Sequence, residues 1–307
     1  MGWLATVADD EGAAREAALR AVALDPREPN ARAVLAVQRR DLDDWARYED
    51  TLLGIVADSP DAALALGHLT LFYQSMGRCR DSWRCNERAN RIEPFNPSHQ
   101  ARRALKHWIF GRLNEADQVA DRALQIWPRN PTVWNARLIL YAYTDRAPAA
   151  LALLDDPATR PENLTEPTVK AWRSALTAIA SRAPADIAAA VATNFRAATL
   201  APGLAANAIM TFSVLGELDA AYRVADGLLN NRGPIVQRSR TGAGRDLYSG
   251  PVWGRTQFLF IPATAAFRAD RRFTALCEAT GHIDYWRKRG VWPDDFVRGS
   301  LVVDNPA

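Results

Sequence analysis

Residues 111–128 read "GRLNEADQVADRALQIWP", and residues 216–229 read "GELDAAYRVADGLL", with Val-Ala-Asp at the same distance from the leading glycine. One supersecondary unit cannot bury its own apolar face, whereas stacked copies extend a core through nearest-neighbour contacts. The prolines supply the ruler. Pro26, Pro60, Pro94 and Pro128 stand 34 residues apart and close similar runs, "AVALDP", "GIVADSP", "ANRIEP" and "ALQIWP". Each unit reads as a helix, a tight turn and a second helix stopped by a proline, which cannot continue the helical hydrogen bonding. Gly77 and Gly111 fall 34 apart at the turn, and Ala14, Ala21, Ala89, Ala116 and Ala123 are the small residues that crossing helices need. Laid on one another, the two copies put Gly111 over Gly216 and Ala116 over Ala221. The reading predicts second helices ending at the four prolines and almost no strand.

After Pro128 the spacing loosens. "TDRAPAALALLDDPATRPENLTEP", 144–167, predicts a shortened second helix and a proline-rich connection, followed by a longer helix pair and a unit restarting at Gly203. Three regions result: repeats over 1–231, a basic Gly- and Arg-rich loop over 232–257, and a helical cap with a tail over 258–307.

Composition narrows the class. The chain has 307 residues and 48% hydrophobic residues, enough for a continuous core. No uncharged apolar run reaches the length of a membrane span, and "MGWLATVADDEG" lacks a basic leader, so a cytoplasmic protein without membrane insertion is expected. Cys79, Cys85 and Cys277 form no C-x-x-C pair and read as reduced thiols. Only Lys106, Lys170 and Lys288 are lysines; the arginine and alanine bias points to a GC-rich bacterial genome. Charge is uneven, with twelve Arg or Lys against six Asp or Glu between Arg232 and Arg298.

The period of 34 resembles the tetratricopeptide-repeat family over roughly residues 1–231. Trp134 and Tyr141 match its W-x-x-L-G-x-x-Y spacing, with Arg137 and Leu138 in place of Leu-Gly; Ala36 and Ala104 fit its small positions, and Thr70 and His107 depart. The resemblance implies an all-α fold, a right-handed α-solenoid of helix-turn-helix repeats whose concave face, built from the first helices, holds peptides or partner helices. It implies no reaction and no cofactor. The ending looks like the C-terminal segment of bacterial tetratricopeptide proteins with R-x-D-P-R-F, G-L-x-x-Y-W and W-P-D. Here these are Arg268, Asp270, Arg272 and Phe273, then Gly281, Tyr285 and Trp286, then Trp292, Pro293 and Asp294, with Arg271 in place of the proline and His282 ahead of Ile283. In such proteins the repeats often follow a DNA-binding or signalling domain. Met1 falls mid-helix in the first unit, which fits either an upstream extension or a frayed first helix.

Catalytic and metal chemistry finds little support. His68, His99, His107 and His282 show no ligand spacing. Cys277, His282 and Asp284 can be drawn as a nucleophile with a base, against which stands a cap helix with a buried thiol and a solvated histidine. "TGAGRD", 241–246, lacks the Gly-Lys-Ser/Thr of a phosphate loop. Arg238, Arg240 and Arg245 offer basic-loop contacts, the one place where nucleic acid is considered. An interaction module is favoured over a ligand-sensing regulator half and over an enzyme. Steps of 34 through the first helices give the expected groove: Gly67, Ala101 and Asn135; Leu71, Leu105 and Ile139; Gln74, Trp108 and Ala142. Arg40 joins the polar fringe, and Trp108 with Tyr143 beside it is the expected anchor for an apolar peptide or amphipathic helix, with the tail "SLVVDNPA" as a possible self-ligand. In the cap, Phe273, Tyr285, Trp286 and Trp292 are expected to face inward, covering the last repeat.

Overall fold

The structure is a computed structural model that describes residues 11–38, 44–233, 235, 246–249 and 256–301. Arg40, Arg238, Arg240, Arg245 and the tail after Leu301 lie outside the described residues. Among those described there are sixteen α-helices, three short 3-10 helices and no strand. The helices pack in adjacent pairs.

The 34-residue beat survives in the backbone. Helices α1 (Glu11–Leu24), α3 (Trp45–Asp58), α5 (Cys79–Ile92) and α7 (Leu113–Ile126) each stop two residues before a ruler proline. The residue after each helix donates to the carbonyl four back, Asp25 to Ala21, Ser59 to Ile55, Glu93 to Ala89 and Trp127 to Ala123, and the proline then blocks another turn. The partner helices are α2 (Pro29–Gln38), α4 (Ala63–Ser75), α6 (Pro97–Ile109) and α8 (Pro131–Ala142). Asn96 and Asn130 cap α6 and α8 by accepting from the second and third amides, with proline at the first helical position where no donor is needed.

The turn inside each pair repeats as well. Gly77 and Gly111 take φ of 69° and 73°, and Arg78 and Arg112 then donate back to the carbonyls of Tyr73 and His107, closing the helix end. The third such turn has no glycine: Asp145 holds φ 59°, and Arg146 donates to Tyr141. Helix α9 (Ala147–Asp155) is shortened, and α10 (Glu166–Ser181), α11 (Pro184–Ala197), α12 (Pro202–Leu215) and α13 (Leu218–Asn230) complete the pairs. Gly216, at φ 83°, is followed by Glu217 donating to Phe212, so the second copy of the opening stretch has the turn of the first. Ala116 and Ala221 are both fully buried.

Residues 256–301 form two 3-10 turns, then α14 (Ala265–Ala269), α15 (Arg272–Ala279), α16 (His282–Arg289) and a last 3-10 turn at Asp295–Val297. Phe273, Tyr285 and Trp286 are buried and Trp292 is half-buried. This segment reaches much further than the last pair. At one end the Tyr222 hydroxyl donates to the Phe267 carbonyl, the two rings stack at 4.1 Å, and Phe267 N donates to Ser213. At the other it grips the turn between α4 and α5: Thr256 Oγ1 donates to Ser75 O, Trp286 Nε1 to Met76 O and Asp294 N to Gly77 O, each at 3.0 Å. Arg289 and the Tyr285 hydroxyl add an ion pair and a hydrogen bond to buried Glu49 on α3.

Gly77 and Gly111 share a backbone geometry but differ in surroundings. A Cβ on Gly77 would stand 2.7 Å from Pro293 and 2.9 Å from the Phe260 ring, whereas one on Gly111 meets nothing within 4 Å. Gly111→Ala is expected to cost about 1–2 kcal/mol for the left-handed backbone alone. Gly77→Ala is expected to cost roughly 1–3 kcal/mol more, because the seated segment is pushed off. Urea unfolding of the two variants reads this difference directly, and equal costs would contradict the seating.

Candidate functional site: the row of first helices

Of the expected groove columns, Gly67 and Gln74 on α4 both meet α6. A Cβ on Gly67 would touch Arg102 and His99 of α6, so Gly67 is a close-approach position between α4 and α6. Ala101 is buried in a small cluster with Ala123, Val133 and Ala136. Ile139 and Ala142 are fully buried core residues, and Trp108 keeps only 6% of its surface. Leu71 and Leu105, at the same place in successive units, are half-buried. A peptide anchor needs an accessible face, and Trp108 instead supports the wall from beneath.

The polar members of the columns are engaged by the chain itself. Gln74 accepts from Lys106 Nζ at 2.8 Å and donates to the Gln257 carbonyl at 3.1 Å. Asn135 accepts from the Tyr248 hydroxyl, which in turn accepts from Trp172 Nε1 at 2.8 Å. Tyr143 shares a 3.2 Å hydrogen bond with Thr211 of α12. Tyr248 is fully buried, and burial pushes its phenol well above the usual range. It is seated by Gly203, whose amide donates to the Tyr248 carbonyl at 2.9 Å and whose missing side chain leaves the ring its space. Asp246 fixes the approach, accepting from Thr165 N and Thr168 Oγ1. In the sequence Tyr248 falls within the basic loop, and nothing local marks its meeting with Gly203.

His282 corrects a second expectation. In place of a solvated ring, it is fully buried: Nδ1 meets Thr280 Oγ1 at 2.7 Å, and Nε2 lies 3.0 Å from both Thr256 Oγ1 and Ser75 O. Burial lowers its pKa to about 4. Cys277 is buried and its thiol is pushed up, first by burial and then by Glu278, the reverse of an activated nucleophile. Asp284 is exposed. Arg137, standing where the repeat pattern has an apolar residue, is buried, pairs with Asp117 and Asp121, and lies 4.0 Å over the Tyr141 ring. Among the described residues no group of three or more His, Cys, Asp or Glu is arranged to hold a metal ion, and no helix is long and apolar enough to cross a membrane. No protein-family model and no curated protein sequence matches the chain.

Lys106 is a buried lysine on this row. It is 2% exposed, and burial lowers its pKa to about 7. Its unfolded value is near 10.4, so between about pH 7 and 10 the unfolded chain holds a proton that the folded chain does not, and stability rises with pH there. Replacing Lys106 by Met removes that rise. From pH 7.5 to 8.5 the stability difference is expected to move in favour of the native chain by about 1.4 kcal/mol per unit. Paired denaturation curves at the two pH values check the sign; a constant difference would mean Lys106 keeps an ordinary pKa.

Proposed function

We propose that the chain is a non-enzymatic protein-interaction module, a right-handed α-solenoid of tetratricopeptide-like repeats whose inner face is largely occupied by its own C-terminal segment. The repeating turns and helix ends support the repeat assignment. The observation that carries the functional reading is the pair Leu71 and Leu105. On a row where Gly67, Gln74, Ala101, Trp108, Asn135, Ile139 and Ala142 are all buried, these two aliphatic side chains stay half-open one repeat apart. Half-buried Arg102 lies on the same helix as Leu105. An amphipathic helix or apolar peptide of another protein, laid across α4 and α6, covers the two leucines with its apolar face. The preorganised inner row holds such a partner without ordering cost of its own.

Leu71→Asp tests the reading. The side chain is half-open, so the variant is expected to keep its helical circular-dichroism spectrum and cooperative melting, while its affinity for a partner recovered with the native chain from the source cell falls about tenfold or more. Undiminished capture by the folded variant would show that the inner row is not the partner site.

A further inference from the structure

The outer face of α5 carries a second arrangement that the inner row does not use. Arg80, Arg84, Arg88 and Arg91 fall within about 80° of one another around the helix axis and climb about 16 Å along it. Beside them lies an aromatic edge. Trp83 packs against Phe110 at 5.8 Å, Phe110 against Phe296 at 5.4 Å, and Phe296 remains 43% exposed. The Arg112 guanidinium lies 5.7 Å over Trp83 and 5.8 Å over Phe110, and Arg80 lies 5.4 Å over Phe296.

Carboxylates satisfy only part of this face. Arg80 pairs with Asp294, Arg84 with Asp81, and Glu87 is taken by Arg103. Arg88 donates to the Pro60 carbonyl. Among the described residues Arg88, Arg91 and Arg112 have no carboxylate within ion-pair distance. The face therefore holds a surplus of positive charge next to half-open aromatic rings, and Trp and Arg are the residue types that concentrate binding energy at interfaces.

We propose that this face of α5 is a docking surface for an extended, acidic segment of a partner protein. Arg80, Arg84 and Arg88 rise about 6 Å per step and Arg91 about 4.5 Å beyond Arg88, near the roughly 6.7 Å between alternate side chains of an extended chain, so alternate Asp or Glu residues reach successive guanidiniums. An apolar residue at one end of the segment reaches the Phe110–Phe296 edge. Single-stranded nucleic acid fits less well: Arg112 and Arg80 already lie over the rings that bases would stack on, and Asp81, Glu87 and Asp294 interrupt the positive track a continuous phosphate chain needs. The surface is separate from Leu71 and Leu105, so Leu71→Asp leaves it intact and the two sites fail or stand independently.

The probe is a fluorescein-labelled peptide of about ten residues with Glu at alternate positions and one terminal Phe, titrated by anisotropy against the full chain. Saturable binding is expected at 50 mM salt, with affinity falling about tenfold by 300 mM. Arg88→Glu with Arg91→Glu, neither of which breaks an ion pair, is expected to weaken binding about tenfold, and Trp83→Ala by about fivefold or more. The same peptide with Lys for Glu is expected not to bind. Equal binding by the native chain and the double variant, or no saturable binding, overturns the proposal. Tighter binding of an oligothymidine of similar length at the same salt overturns it in favour of nucleic acid.

Discussion

Three consecutive carbonyls at the end of α4, those of Ser75, Met76 and Gly77, receive hydrogen bonds from residues more than 180 positions further along the chain. A helix C-terminus leaves its last carbonyls without intrahelical partners, and a buried end must find them elsewhere. Here Thr256 and His282 serve the first, Trp286 the second and Asp294 the third. Phe260, Phe273 and Trp286 bury their rings in the same place, so the polar fit and the apolar contact are made by one docking event. The rest of the C-terminal segment is positioned by that grip and by its opposite end on Tyr222 and Ser213. Between them, Arg268 is buried and spends its charge on the carbonyls of Leu259 and Ile261 and on Thr264 Oγ1, which fixes the path of the chain between the two grips.

The repeat architecture was legible because it is local. A proline stops a helix through its own ring, and a left-handed turn residue closes one through its own backbone, so Pro26, Pro60, Pro94 and Pro128 and the glycines at 77 and 111 announce themselves in sequence. Asp145 escaped that reading because an aspartate in the left-handed region looks like any other aspartate until its φ is known. The surroundings of the expected columns were not legible. Steps of 34 name equivalent positions on the first helices, yet what lies beside Gln74, Asn135 and Tyr143 is decided by Gln257, Tyr248 and Thr211, residues distant in sequence. Gly77 shows the same limit within one residue: its φ is written in the repeat, while the crowding by Pro293 and Phe260 is written elsewhere.

The seated segment changes what the fold offers a partner. Most of the expected column residues on α4, α6 and α8 are spent on internal contacts, and helix α12 is buried from Pro202 through Ser213. On the expected columns, the apolar side chains left half-open are the leucines at 71 and 105. A buried lysine with a single hydrogen-bonding glutamine between α4 and α6 belongs to the same economy, since Gln74 links the row to the segment by bonding Lys106 on one side and Gln257 on the other.

Amide hydrogen exchange tests the central claim, that residues 256–301 are an integral layer on the row of first helices. The amide of Phe267 is bonded to Ser213 and that of Asp294 to Gly77. If the segment is integral, peptides spanning 257–269 and 290–297 exchange no faster than those of α12, and all of them open together in one global unfolding event. Rapid exchange across 257–269 while α12 stays protected would show a segment that leaves the row freely, and would contradict the account.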